Sequence, residues 1–162
     1  MSHLLKNLKA AFLKGSLWIS RSIEERFSLP SDEITGRYII KLWESEVNKG
    51  KHLRLLHHLK VEDIYPNNFQ KMHVGAAVRM FSFRTAAALF TAIERGELEE
   101  EAKTSAWFVL KIATWFELVS ARTIKTSVTR TNSFLKENIL LEMIELTFVL
   151  MAVLTIMTNG NL

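Results

Sequence analysis

The stretch EEEAKTSAWFVLKIATWFELVSARTI, Glu99–Ile124, carries the strongest helical pattern in the sequence. Apolar side chains recur along one face of it at helical spacing: Phe108, Ile112, Trp115, Phe116 and Val119. This period is typical of a helix that packs against a core. The glutamates Glu99–Glu101 stand just before the apolar part, where negative charge stabilises a helix N-terminus. The sequence therefore predicts a long core helix in this region.

Two shorter helices are predicted immediately upstream, over about 70–81 and 83–95, with a break at Ser82. Gly96 follows the second helix, and glycine commonly ends a helix in the left-handed conformation. Both helices are rich in small residues, in the segments GAAV and TAAAL. An all-small stripe indicates that another helix packs very close to them.

The N-terminus predicts a helix that ends at Gly15. Its apolar residues fall on one side: Leu4, Leu5, Leu8, Phe12 and Leu13. The lysines Lys6, Lys9 and Lys14 are expected on the opposite side. They also divide every apolar run, so the segment lacks the continuous apolar region of a secretory signal.

The other elements are less regular. Residues 29–33 predict a turn and an N-cap, followed by a helix over about 34–47. Residues 52–69 contain a short helix, and Pro66 disfavours helical geometry at the residue before it. The Ser/Thr-rich residues 120–133 predict a linker, and a last helix follows over about 134–157.

No strand pattern with a period of two residues persists in the sequence, so we predict an all-α fold, an irregular multi-helix domain. A length of 162 residues suits one domain. The absence of cysteine excludes disulfides and thiolate metal sites. Residues 146–157 carry no charge but are shorter than a membrane span, which favours a buried helix. A C-terminal membrane anchor over 139–157 is the alternative. Because the buried helix is the preferred interpretation, a membrane partner is not expected.

Positive charge is unevenly distributed along the chain. Residues 1–60 contain eleven lysines and arginines against six acidic residues, and residues 122–136 contain four basic residues and no acid. Such patches attract nucleic-acid phosphates through a sequence-independent electrostatic interaction. The predicted DNA or phosphate contacts are Lys6, Lys9, Arg122, Lys125 and Arg130. An ordinary solvated basic face is the alternative interpretation.

The residues show no familiar catalytic motif. Gly50-Lys51 is followed by His52, and no glycine stands five residues before Gly50, so a P-loop is absent. The histidines His52, His57 and His58 lack the spacing of metal ligands. No Ser/His/Asp arrangement or nucleophile elbow is visible. Composition and motifs alone therefore indicate a basic, helical domain.

Four segments, in this order, resemble P element-type (THAP-type) DNA transposases. They are HLLKNLKAAFLKG at 3–15, ITGRYIIKLWESE at 34–46, HLKVEDIYPNNFQKMHVGAAVRMFS at 58–82 and TSAWFVLKIATWFELVSA at 104–121. Together they cover roughly residues 3–124. The family's Lys-Met-x-Val-x-x-Ala segment ending at Phe-Ser matches Lys71, Met72, Val74, Ala77, Phe81 and Ser82.

The resemblance implies a fold and a ligand. In the family this helix belongs to a helical insertion that interrupts an RNase H-like catalytic domain and binds GTP as a cofactor, which magnesium can accompany. Carried over by position, Phe116 would stack on guanine and Glu117 would accept from its N1 and N2 groups. His58 or Lys60 would meet phosphate. Val74 would line the pocket, and Ser120 stands where the family has asparagine.

The same resemblance implies an incomplete enzyme. The family's three catalytic carboxylates lie outside the matched region, and two-metal cleavage needs all of them. The chain is therefore expected to be a fragment of a nuclear transposase, inactive alone, that binds guanine nucleotide and transposon DNA. Self-association or the remaining transposase domains are further expected partners. The alternative is a domesticated helical protein-interaction domain with a decayed nucleotide site.

The resemblance also divides the chain. Residues 1–15 match a helix at the end of the first part of the catalytic domain. Residues 16–124 match the GTP-binding insertion. Residues 125–162 form the basic linker and the apolar C-terminal helix, where the family match is lost.

Overall fold

The computed structural model describes residues 2–70 and 73–119, and beyond them only Leu141 and Ile144. Within the two continuous ranges the helices are α1 (Ser2–Lys14), α2 (Arg21–Arg26), α3 (Arg37–Glu46), α4 (Val61–Ile64), α5 (Val74–Met80), α6 (Phe83–Glu94) and α7 (Ala102–Val119). The strands are β1 (Ser16–Trp18) and β2 (Glu33–Thr35), and a 3₁₀ turn spans Lys51–Leu53. The chain is mostly helical, which confirms the predicted class. The predicted linker and last helix lie outside the described residues.

Two short strands that the sequence did not predict accompany the helices, and the helix predicted from about residue 34 begins later. Strands β1 and β2 pair antiparallel with Leu17 opposite Ile34, and helix α3 begins only at Arg37. Strands of three residues are too short to show an alternating pattern. Contacts distant in sequence hold β2 in place, because the Thr35 N–H donates to Ser105 Oγ of α7 at 3.0 Å.

A close backbone approach joins the end of α1 to the start of α3. The Gly36 N–H donates to the Phe12 carbonyl at 2.8 Å. A Cβ atom at residue 36 would lie 2.7 Å from that same carbonyl oxygen, which is too close for any side chain. Glycine is therefore required here for space.

Three phenylalanines join the helices at the centre of the core. The ring of Phe12 lies 5.4 Å from that of Phe81 and 6.1 Å from that of Phe108, and the last two are 6.3 Å apart. All three are almost fully buried. Helix α1, the α5–α6 junction and helix α7 therefore share one core.

The small residues of α5 and α6 pack closely, as predicted. Ala86, Ala88 and Ala92 are buried on α6, whose main partner is α7. The break also falls where expected, because Ser82 is the N-cap of α6 and its Oγ accepts from the Thr85 N–H at 3.3 Å. Gly96 has a φ of 70°, which confirms the predicted helix end.

Residues Val74–Glu94 are long and apolar enough to cross a membrane by length and composition. They nevertheless form two helices with a break between Met80 and Phe83, and more than half of the apolar window is buried inside the protein. This burial is typical of core helices. The predicted anchor at 139–157 lies outside the described residues.

Candidate nucleic-acid interface

A basic cleft of about 490 Å³ lies between α1, α3 and the segment that follows α4. Its lining residues are Lys6, Lys9, Ala10, Leu13, Lys14, Ile40, Ile64, Tyr65, Pro66 and Asn67. The five residues from α1 fall at i, i+3, i+4, i+7 and i+8, a spacing that places them on one face of a helix. Three lysines and no acidic side chain line the described cleft, so it offers a net positive surface to a ligand.

A buried ion pair lies behind the cleft. Asp63 of α4 is fully buried, and Arg79 of α5 donates to both of its carboxylate oxygens, at 2.8 Å and 2.7 Å. The Lys60 backbone N–H donates to the same carboxylate at 3.0 Å. This bidentate arrangement fixes α4 against α5 and satisfies the carboxylate.

Lys9 is the third charged member of this cluster, and it is only 5% exposed. It lines the cleft together with Lys6 and Lys14, but it is much more buried than either of them. Burial lowers the pKa of Lys9, and the charge of Arg79 lowers it further, whereas Asp63 opposes both. No hydrogen bond or ion pair joins the Lys9 ammonium to another described residue. The cluster of Lys9, Asp63 and Arg79 therefore carries one excess positive charge.

The segment after α4 presents an aromatic ring to the cleft. Tyr65 is half exposed; its ring meets Trp43 edge-on at 6.2 Å, and its hydroxyl donates to Glu44. Asn67 and Gln70 hold the following turn through two reciprocal bonds, in which each backbone N–H donates to the other side chain, at 3.0 Å and 2.8 Å. The ring position is therefore set before any ligand arrives.

His58 lies in the loop between α3 and α4, which a buried carboxylate organises. Glu46, only 1% exposed, accepts from the Leu55 and Leu56 N–H groups at 2.9 Å and 3.1 Å. His58 Nε2 shares a hydrogen bond of 2.8 Å with Thr85 Oγ1, and its buried Nδ1 has no partner among the described residues. Burial, followed by the nearby charges of His57 and Arg84, lowers the pKa of His58 to about 4.

A depressed histidine pKa makes stability depend on pH. The unfolded chain takes up the proton near pH 6.5 and the folded chain only near pH 4, so acid favours unfolding between these values. We expect the free energy of unfolding to fall by about 1–3 kcal/mol from pH 7 to pH 4.5 through this group. Urea titrations across this pH range check the prediction on the wild type, on His58→Gln and on the control His52→Gln, whose side chain is exposed. Equal pH slopes in the wild type and His58→Gln would contradict the assignment.

The other residues of the predicted guanine site lie on separate elements. Lys60 is exposed at the start of α4, Val74 is partly buried at the start of α5, and Phe116 and Glu117 lie near the end of α7. Phe116 packs partly against the core, and Glu117 is exposed with no ion pair among the described residues. The role of these residues in binding guanine stays a prediction. Ser120 lies outside the described residues.

Of the predicted DNA or phosphate contacts, some line the cleft and others lie outside the described residues. Lys6 and Lys9 both line the cleft. Lys14, Tyr65 and the Asp63–Arg79 pair complete the site, although the sequence did not single them out as site residues. The spacing of the α1 lysines is the one signal that could have predicted Lys14. The remaining predicted contacts lie outside the described residues: Arg122, Lys125 and Arg130.

Comparison with known proteins identifies a shared fold. No family model and no curated protein matches the chain. Among solved structures, it is similar to the Drosophila P element transposase strand transfer complex, with a TM-score of 0.66 and 20% sequence identity. The chain folds like part of a transposase. The similarity covers 90% of this chain but only 31% of that one. At this level of identity it shows a shared fold, whereas the insertion into an RNase H-like domain and the GTP site stay predictions.

Proposed function

We propose that the chain is the helical insertion module of a P element-like, THAP-type transposase. It contacts transposon DNA and binds guanine nucleotide in the nucleus, and it has no complete catalytic site of its own. The observation that carries the proposal is the transposase fold over 90% of the chain. The four segments matched in order support the same assignment.

The basic cleft supports the DNA contact. Lys6 and Lys14 stand at its α1 wall with no ion pair to a described residue, so both ammonium groups are available to phosphates. Lysines contact the DNA backbone as point charges and displace its counterions. Arg122, Lys125 and Arg130 extend the proposed contact by their position in sequence.

The nucleotide part of the proposal rests on chemistry near the end of α7. Phe116 would stack on the base, and Glu117 would accept two hydrogen bonds that adenine cannot donate. The ring of His58 is neutral at pH 7, so Lys60 supplies the positive charge for phosphate. Val74 and Ser120 complete the pocket, and magnesium would accompany the phosphates. A domesticated protein-interaction module with a decayed site is the competing function, and it predicts no nucleotide binding.

We expect full-length protein to bind a duplex DNA probe with an affinity that falls steeply between about 50 and 200 mM salt. Replacing both Lys6 and Lys14 with alanine should lower the slope of log affinity against log salt by about two, one for each lost phosphate contact. Fluorescence anisotropy measures this slope. The matched control is Lys51→Ala with Lys103→Ala, because neither lysine lines the cleft. Equal slopes in the two double variants would contradict the proposed contact surface.

A further inference from the structure

We infer that the basic cleft is a pocket for one unpaired nucleotide, with the phosphate at the α1 lysines and the base against Tyr65 and the apolar wall. The inference rests on the proposed DNA contact and specifies what the cleft recognises. The chemistry required is that of a nucleoside phosphate, whether it belongs to a single strand or is free.

The charge of the buried cluster calls for an anion. Asp63 is engaged by both bonds from Arg79 and by the Lys60 N–H, so its charge is already balanced. Lys9 adds a positive charge at the cleft wall: most of its side chain is buried, its ammonium group is not enclosed by protein, and no described residue forms a hydrogen bond or ion pair with it. A cation whose side chain is largely desolvated at the wall of a cleft attracts an anion more strongly than one in open water. A phosphate at the cleft would be such an anion.

The rest of the lining suits a flat, largely apolar body. Leu13, Ile40 and Ile64 supply apolar wall, and Tyr65 supplies a half-exposed ring. The Asn67 side-chain oxygen accepts from the Gln70 N–H, which leaves its NH₂ group to donate to a base. A volume of about 490 Å³ is in the range of sites that enclose one small organic ligand.

This combination favours an unpaired base over duplex DNA. Bases within a duplex are stacked on their neighbours, so their faces cannot reach an aromatic ring in a cleft. Proteins that bind single strands combine a positively charged groove with aromatic rings on which bases stack. The cleft has both features, so single-stranded nucleic acid should bind more tightly than duplex of the same length.

The test is fluorescence anisotropy of full-length protein with single-stranded and duplex DNA of about 12 nucleotides. Ala10 is exposed and lines the cleft, so Ala10→Trp blocks the pocket without changing its charge or the core. Lys9→Met removes the charge and keeps the apolar stem, and Lys51→Met is the matched lysine control outside the cleft. Deoxyadenosine monophosphate serves as a competitor, which separates a free nucleotide from a strand. Circular dichroism verifies the fold of each variant.

The wild type should prefer the single strand. We expect Ala10→Trp to weaken single-strand affinity by about 5- to 150-fold, the range for one lost base stack, and to weaken duplex affinity much less. Lys9→Met should lower the salt slope by about one, while Lys51→Met has no effect on the single-strand preference. Competition by the mononucleotide that Ala10→Trp abolishes shows that the cleft also takes the free form. If the mononucleotide competes in none of the proteins, the cleft binds the nucleotide only as part of a strand.

Two results would overturn the inference. One is equal affinity of the wild type for single strand and duplex, which would contradict the inference. An Ala10→Trp variant that binds the single strand like the wild type would show that no base enters the cleft. If duplex binding keeps its predicted salt dependence in that case, the transposase proposal still stands. If Lys9→Met does not fold, Ala10→Trp alone decides the question.

Discussion

Replacing Phe12 with alanine is expected to lower the free energy of unfolding by about 3–5 kcal/mol, the range for removing a buried aromatic side chain. Phe12 has no exposed surface, and its ring touches those of Phe81 and Phe108. The substitution would leave a cavity where α1, α7 and the α5–α6 junction meet. Urea unfolding followed by circular dichroism measures the loss.

The matched control is Phe69→Ala, because the Phe69 side chain is 85% exposed. Its effect should stay within about 0.5 kcal/mol, as for most surface substitutions. If Phe12→Ala and Phe69→Ala changed stability equally, the packing of α1 into the common core would be wrong.

Arg79→Met is expected to cost about 3 kcal/mol at pH 7, because it leaves the fully buried Asp63 carboxylate without its charged partner. The value is at the lower end for a broken buried pair, since the Arg79 side chain is itself 38% exposed. Adding Asp63→Asn removes the stranded charge and should recover part of the loss. Arg95→Met is the control, because Arg95 pairs with Glu97 at the surface. A loss no greater than that of Arg95→Met would contradict the role of the buried pair.

Lowering the pH should reduce the difference in the free energy of unfolding between the wild type and Arg79→Met. Burial alone would raise the pKa of Asp63, but the bonds from Arg79 and the Lys60 N–H, with the charges of Arg79 and Lys9, lower it overall. A folded-state pKa below the unfolded value contributes stability above the unfolded value, and that contribution is lost as the pH falls through the folded value. Without Arg79, burial makes Asp63 protonate at a higher pH than in the wild type, so the stability difference should shrink as the pH falls from 7 to about 3. A constant difference down to pH 3 would contradict this prediction.

Local sequence signals predicted the helices well. The start of α6 at Ser82 follows from a hydroxyl that caps the first turn, and the end at Gly96 follows from a residue that tolerates positive φ. Helix α4 ends before Tyr65, where Pro66 disfavours helical geometry. Each of these features depends on neighbours within a few residues, so the sequence contains the necessary information.

The features that depend on distant partners could not be predicted. Strand β2 is held by Ser105 of α7, seventy residues away, and Asp63 meets Arg79 across two helices. Lysine usually faces water, but the Lys9 side chain is largely buried, within range of the charges of Asp63 and Arg79. Helical spacing reveals which residues share a face, whereas it does not reveal which element covers that face.

The guanine site is the part of the proposal that separates a transposase module from a protein-interaction domain. The direct measurement is calorimetric titration of the full chain with GTP and with ATP, on the wild type, Glu117→Ala, the control Glu101→Ala, and Glu117→Asp with Ser120→Asn. We expect GTP to bind and ATP to be rejected, because a site built to hydrogen-bond guanine leaves its carboxylate unmatched by adenine.

Glu117→Ala should weaken GTP binding by about tenfold or more, while Glu101→Ala should not change it. The Asp/Asn double variant, which restores the family's residues, should bind GTP at least as tightly as the wild type. Equal and negligible heats for GTP and ATP in all four proteins would contradict the account and leave the chain as a helical interaction domain.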